Sequence, residues 1–481
     1  MHRHLHHGLS DLPGLSAFCH YGHPPHPGNR FGRLFPHLPP LYLHPESLSR
    51  LGRPGGPMDG GTSANRTHSV AVGYVFFGQF VDHDITLDVT SSLSSVADPA
   101  EVPNIRTPTL DLDCIYGLGP EASPFLYHAQ GQFAGIKLLT GADGTAVSGQ
   151  PPALAAEDLS RTSHGIALIG DPRNDENRII SQLQLAMHRF HNHVVEYLHN
   201  AQGLEGHELF EEARRLTTWH YQWVIVEDFL PRLCGKAVVD DILGNGRRYY
   251  RPEDHHQEPY IPVEFSVAAY RFGHSMIPQR IQVQQGEPLL ELFGAKLGHG
   301  FEPLRHPEAV VDWHELVETP AGRHVQQAEK LDTKLAHDLL QLPFISDSER
   351  SLATRNLLRG QAFLLPSGEQ VAHALNRPDD EIERVHDAAQ NIAGSDVDFS
   401  RGTPLWFYIL TEAETIGRET RPGTFEPGEG LGPVGARLVA EVLIGLLELD
   451  TRSYLSSNRN WRPVEDGVGV TTLGDMLTYH P

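Results

Sequence analysis

The chain has 481 residues, 38 of them basic and 61 acidic, for a net charge of −23. A surface this acidic repels phosphate backbones and anionic headgroups, which excludes an electrostatically held nucleic acid or lipid surface as partner. Apolar residues make up 39%, enough for a sizeable core, but no stretch approaches the roughly 18 apolar residues of a spanning helix. Cys19, Cys114 and Cys234 are too few for a disulfide framework.

In chain order, the first segment is irregular. Met1 to Leu15 is studded with His and broken by Gly and Pro, without the apolar run of a secretory signal. The expectation is a cytoplasmic protein, with export by a non-standard route left open. Nine of the 30 histidines precede residue 45, among Pro24, Pro25, Pro27, Pro36, Pro39 and Pro40. A solvated, extended arm is expected, with a metal-binding His tract as the alternative. The Gly/Pro-rich run at 51–65 marks a boundary, dividing the chain into an arm and linker over 1–65 and a body over 66–481.

Helical spacing dominates the body. Val72, Val75, Phe76, Phe80 and Val81 predict a buried helix ending near Asp82-His83-Asp84. Ile179, Leu183, Met187, Phe190, Val194 and Leu198 predict a long helix over 176–198, and Leu216, Trp219, Trp223, Val226 and Phe229 another over 209–233. Further helices are expected at 264–277, 328–342, 349–359, 370–376 and 434–449, with short strands at 249–250 and 280–283. The fold class expected is mostly α: a single large helical domain with long irregular loops and few short strands.

Five segments carry chemistry. In Gly78-Gln79-Phe80-Val81-Asp82-His83-Asp84, a histidine sits between carboxylates at the end of an apolar helix, where each charge needs a partner or a cation; a polar-capped helix end explains it as well. Thr107, Thr109, Asp111 and Asp113 alternate along a loop and could present oxygens to a hard cation, with Asp84 adding one, or form a solvated turn. In Gly170-Asp171-Pro172-Arg173-Asn174-Asp175-Glu176-Asn177, capping accounts for the acidic and amide residues but not for Arg173, a cation near a helix N-terminus. That misfit points to an anion beside Arg173. His274, in Tyr270-Arg271-Phe272-Gly273-His274, is either a core histidine or a ligand, with Gly273 letting a flat group approach. Asn356, with Arg359 one helical turn on, could orient a ligating imidazole. A rival cluster, His188, His191 and His193, has a pair at metal-ligand spacing but no companion ligands nearby.

Together and in this order the segments resemble the animal haem peroxidases of the peroxidase–cyclooxygenase superfamily, including their bacterial and mammalian members. The resemblance runs from about Phe76 to about residue 380 and needs no gap inside any of the five segments. It implies haem b and Ca²⁺ as cofactors, and hydrogen peroxide with a small anionic donor (a halide or thiocyanate) or a phenolic donor as substrates. It makes His83 the distal histidine with Gln79 beside it, Arg173 the distal arginine and His274 the iron ligand. Asn356 then accepts a hydrogen bond from His274, while Arg359 and Arg271 lie where haem is held. Asp84, Thr107, Thr109, Asp111 and Asp113 match the family's calcium site, with Asp113 where Ser is common.

Asp82 and Glu176 stand where mammalian members form ester links to haem. Asn177 replaces a methionine that forms a sulfonium link in one of them, which removes the basis for chloride oxidation. A superfamily alternative, a fatty-acid dioxygenase or cyclooxygenase, carries a radical-forming tyrosine three residues before the iron ligand. Arg271 holds that position here, and Tyr270 is expected to point elsewhere. A non-enzymatic adhesion protein on the same fold is the third reading, and oligomeric state is not legible.

Overall fold

The computed structural model describes residues 30–480 apart from 89, 94, 256 and 346–348. The His-rich tract before residue 30 lies outside the described residues, and Cys19 with it. About 46% of the chain is helical, and strands occur as four two-stranded pairs, so the mostly-α expectation holds. No described helix is long and apolar enough to cross a membrane.

Helix α1 (Pro45–Gly52) opens the described helices. Helix α2 (Gly73–Ile85) buries every residue except Gln79, as expected of a helix apolar on all sides. Helix α3 (Arg178–Gln202) starts on Asn177, whose side chain accepts the Ile180 N–H, and ends on Gly203 at φ 69°, a left-handed stop that favours glycine. Helix α4 (Gly206–Val224) follows and continues as a π-turn over Ile225–Phe229. Helix α5 (Leu352–Ala362) starts on a Ser351 cap. Helices α6 (Gly368–Ala374), α7 (Asp379–Ala393), α8 (Leu405–Thr415) and α9 (Pro433–Leu449) complete the body.

Three expectations are corrected. The segment 264–277 is not an α-helix but a π-turn, Glu264–Ala268, running into a 3₁₀ stretch, Ala269–Met276. The helix expected at 328–342 is instead the strand β4 (Gln327–Glu329) and a 3₁₀ turn, His337–Leu340. β4 pairs antiparallel with β2 (Arg66–Ala71), and that pairing overrides a weak helical period. No strand forms at Tyr249-Tyr250, where backbone N–H groups of 249 and 250 turn to the Glu441 carboxylate instead.

From Arg30 onward the N-terminal segment is built into the body rather than solvated. Strand β1 (Phe31–Gly32) runs parallel to β3 (Ile261–Pro262). The buried Glu264 carboxylate accepts the N–H groups of Leu34 (3.0 Å) and Phe35 (3.1 Å). Arg33 donates to the Phe363 carbonyl at 2.7 Å, and Leu43 N–H to Gln361 at 3.0 Å. The segment thus straps the 264–276 stretch to the end of α5.

Candidate haem and cation site

A recessed cavity lies between α2 and the 269–276 stretch. Gln79 and Asp82 from α2, with Glu176 and Asn177 from the start of α3, form one wall. Tyr270, Arg271, Phe272, Gly273 and His274 form the facing wall, and Leu292, Phe293, Leu339, Leu342 and Phe344 close the apolar sides.

The 3₁₀ geometry explains the second wall. With three residues per turn, positions i and i+3 eclipse, so Arg271 and His274 share a face, and Asn356 on α5 meets both. Arg271 Nη1 donates to Asn356 Oδ1 over 2.6 Å. Because a guanidinium only donates, the amide must turn its Nδ2 to His274 Nδ1, 2.8 Å away. The expected sense of that bond, His274 donating, is therefore reversed here. Tyr270 is also corrected: it lines the cavity rather than pointing away, stacked on Phe265 at 4.6 Å between ring centres. Its buried hydroxyl has no hydrogen-bond partner among the described residues.

The Arg271 guanidinium is pushed down to about 9, first by burial and then by the nearby Arg359, while Asp82 and Asp88 offset this only in part. Arg359 is itself buried 3.6 Å from Asp88. Two buried cations side by side suit the carboxylates of a flat apolar ring. Gly273 leaves the wall open beside His274: a Cβ there would meet only Val75 Cγ1, at 3.7 Å. An imidazole, an apolar slot and a neighbouring pair of buried guanidiniums fit a carboxylated porphyrin.

His83 and Arg173 have no surface on this cavity. Both are essentially fully buried, His83 next to Asp82 in sequence and Arg173 near enough to Glu176 to pull its carboxyl down. His83 Nδ1 is 2.7 Å from Asn174 Oδ1. The amides behind it fix its tautomer. Gln184 Nε2 donates to the Cys114 carbonyl (3.2 Å), so Gln184 Oε1 accepts from Asn174 Nδ2 (2.7 Å), and Asn174 presents oxygen to His83. His83 therefore carries its proton on Nδ1, and Nε2 is the basic nitrogen.

Arg173 belongs to the end of α2, not to the start of α3. Its Nη2 donates to the carbonyls of His83 (2.9 Å) and Thr86 (2.6 Å), where the helix dipole favours a cation. The anion inferred beside it is Asp171, 2.8 Å away; burial alone would raise that carboxyl, but Arg106 and Arg173 hold it well below the usual range. Arg173 Nη1 is buried without a partner. Glu176, joined to Gln79 by a short hydrogen bond, is pushed up to about 8 by burial, with Arg173 pulling it down and Asp171 and Asp82 pushing it up.

Asp84, Asp111 and Asp113 bring carboxylate oxygens within 4.8 Å of one another. Leu112 at φ 59° makes this possible: the left-handed turn aims both flanking carboxylates the same way, a conformation costly for a side-chain-bearing residue. Asp84 Oδ2 accepts from Leu112 N–H (3.3 Å) and Tyr221 (3.2 Å), while Oδ1 is buried without an N–H or O–H donor. Burial and mutual repulsion raise all three carboxyls, Asp111 to about 7. Thr107 Oγ1 lies 3.3 Å from Asp111, and the Thr109 hydroxyl is buried near the same carboxyl. The donor set is all oxygen, as Ca²⁺ requires.

The rival histidine cluster is structural. His188 and His191 are buried with ring nitrogens on the carbonyls of Leu139 (2.9 Å) and Ile136 (3.0 Å), and burial pushes both down to about 4. His193 reaches the Tyr479 carbonyl at 2.8 Å. Gln184 and Arg106 carry no signal in the sequence; Asp171 and Asn174 carry one only as helix-start types, and Tyr270 only as a tyrosine one position away from the oxygenase place.

The chain is 27% identical over 274 residues to dual oxidase 1 of Caenorhabditis elegans, covering 55% of this chain and 18% of that protein. It is 26% identical over 304 residues to human thyroid peroxidase, covering 56% and 30%. It thus spans under a third of the length of these relatives. Its fold is similar to peroxidase A of Dictyostelium discoideum, with TM-score 0.61 and 15% identity over 93% of this chain and 92% of that one. It is also similar to a fatty acid alpha-dioxygenase of Arabidopsis thaliana, with TM-score 0.57 and 15% identity over 94% and 77%. A sequence profile of the family described as animal haem peroxidase matches residues 89–392, a stretch that holds Arg173, His274, Asn356 and the acidic loop but starts after His83. With well over half of its length inside that match, the chain belongs to the animal haem peroxidase family.

Proposed function

We propose that the protein is a peroxidase that binds haem b in the cavity between α2 and the 269–276 stretch, reduces hydrogen peroxide and oxidises a second substrate. The observation that carries the reading is one apolar slot lined by His274 and Arg271 together with Gln79 and Asp82, with Arg359 close behind Arg271. His274 would hold the iron through its imidazole, and Arg271 with Arg359 would meet the propionates. Haem supplies the redox chemistry, accepting the oxidising equivalents of peroxide and passing them on.

The residues supply the rest. His83, basic at Nε2, takes the proton from the near oxygen of peroxide and returns it to the far one. Arg173 Nη1 meets the charge that develops as the O–O bond lengthens. Neither lines the cavity, while Gln79 and Glu176 do, so productive binding parts the Gln79–Glu176 pair, and ester links to haem through Asp82 and Glu176 would hold it apart. Ca²⁺ binds Asp84, Asp111 and Asp113 with Thr107 and Thr109, one residue from His83. Phenols, bromide, iodide and thiocyanate are the donor classes to screen.

The test is an absorption spectrum of the haem-reconstituted protein before and after hydrogen peroxide, followed by that screen. A Soret band that His274→Ala abolishes, and that peroxide shifts, supports the reading; a protein that takes up no haem overturns it. Tyr270 as a lining residue of the cavity favours a second reading, a fatty-acid oxygenase. Oxygen uptake with a polyunsaturated fatty acid and no added peroxide, lost in Tyr270→Phe, would establish it.

A further inference from the structure

The acidic cluster and the distal arginine are joined by an unbroken chain of buried ion pairs. Asp113 Oδ1 meets Arg106 Nη1 at 3.1 Å. Arg106 Nη2 meets Asp171 Oδ2 at 2.8 Å. Asp171 takes Arg173 at Nη2 (2.8 Å) and Nε (3.1 Å). Arg106, Asp171 and Arg173 are each 2% exposed or less, and Asp113 is 7% exposed. The chain lies away from solvent, where charges act on one another with little screening.

The charges along it do not balance. Asp84, Asp111, Asp113 and Asp171 set four carboxyls against the buried guanidiniums of Arg106 and Arg173, with Arg452 reaching Asp111 at 3.6 Å from a largely exposed position. The cluster keeps an excess of acid that a divalent cation would meet. Arg106 touches both Asp113 and Asp171, and it neither lines the haem cavity nor belongs to the set of oxygen ligands.

We propose that a divalent cation at Asp84, Asp111 and Asp113 and an anionic ligand on the distal side of the haem strengthen each other's binding through Asp113–Arg106–Asp171–Arg173, with Arg106 as the positioning residue. This rests on the haem and calcium reading above. The sign follows from the geometry. A cation draws the Asp113 carboxylate away from Arg106, and Arg106 leans further onto Asp171. Asp171 then holds Arg173 less tightly, so Nη1, buried without a partner, is freed to meet an anion. Linkage requires the effect to run both ways by one factor.

The experiment uses the haem-loaded full chain, with cyanide as the distal anion and calcium chloride as the cation. Cyanide affinity is read from the Soret shift, with and without calcium after chelation. Calcium affinity is read calorimetrically, with and without cyanide. Calcium should tighten cyanide by about fivefold or more, within the usual range of coupling between sites, and cyanide should tighten calcium by the same factor. In Arg106→Gln both ligands should still bind, with the factor reduced to less than about twofold. Calcium that raises the melting temperature but leaves cyanide affinity unchanged in the unaltered protein overturns the proposal, whatever Arg106→Gln does. So does a factor undiminished in Arg106→Gln. Should that variant fail to fold, Arg106→Lys decides the matter: an intermediate factor supports the route through Arg106, and an undiminished one overturns it. A protein with no Soret band fails earlier, and the proposal falls with the haem reading; a Soret band and bound calcium without coupling sinks the proposal alone.

Discussion

Arg271 donates to Asn356 Oδ1 over 2.6 Å, and this bond decides which end of the amide His274 meets. An iron ligand must offer the lone pair of Nε2, which places the ring proton on Nδ1, where the amide now presents its own N–H. Haem loading is therefore expected to draw Arg271 onto a propionate and turn the Asn356 amide over. Asn356→Asp offers an acceptor in either orientation and should raise the iron–imidazole stretching frequency of the ferrous protein, while Asn356→Leu should lower it. Equal frequencies in the two variants would show that Asn356 has no part in ligation.

Glu176 makes the haem-free protein pH-sensitive. Its carboxyl rises from 4.5 to about 8 on folding, so between those values the folded state holds more protons than the unfolded one. Stability is then fullest below pH 4.5 and is lost as pH rises toward 8. Glu176→Gln should flatten that part of the stability-versus-pH curve, measured by urea unfolding at a series of pH values.

Cation binding should stabilise the fold as well as the site. At a hundredfold excess over its dissociation constant, a cation that binds only the native state adds about 2.7 kcal/mol. Calorimetry with calcium and with chelator should show that difference in the unaltered protein. Asp111→Asn and Asp113→Asn should melt at the same temperature in both conditions.

Glu264 is the peg of the N-terminal strap. Glu264→Ala leaves the N–H groups of Leu34 and Phe35 without an acceptor, at about 1–3 kcal/mol for each donor left buried and unmade. Glu264→Gln keeps one acceptor oxygen and should lose roughly half as much. Denaturant midpoints give the totals, and faster amide exchange at Leu34 and Phe35 in Glu264→Ala should localise the loss.

The long helices were legible because their apolar spacing is set by burial alone: α2, α3 and α9 lie where Val75 to Val81, Ile179 to Leu198 and 434–449 placed them. The cation cluster was legible in residue type, though its shape depends on Leu112 in a left-handed conformation that no propensity anticipates. The proximal wall was not. Apolar spacing cannot distinguish α from a π-turn followed by 3₁₀, and that difference of register carries Tyr270 into the cavity and eclipses Arg271 with His274. Arg106 was beyond reach for another reason: a lone arginine in a loop acquires meaning only once Asp113 and Asp171 stand on either side of it.

The strap over residues 30–43 bears on the order of folding events. Its bonds to Glu264 and Gln361 join positions 229 to 318 residues apart, and such distant closures form slowly because chain entropy is lost before any contact repays it. The 269–276 stretch and the end of α5 can be clamped together only after those closures. Capture of the porphyrin is then a late step, and a nascent or refolding chain should pass through a collapsed state with α2 and α3 in place and no lasting hold on the ring.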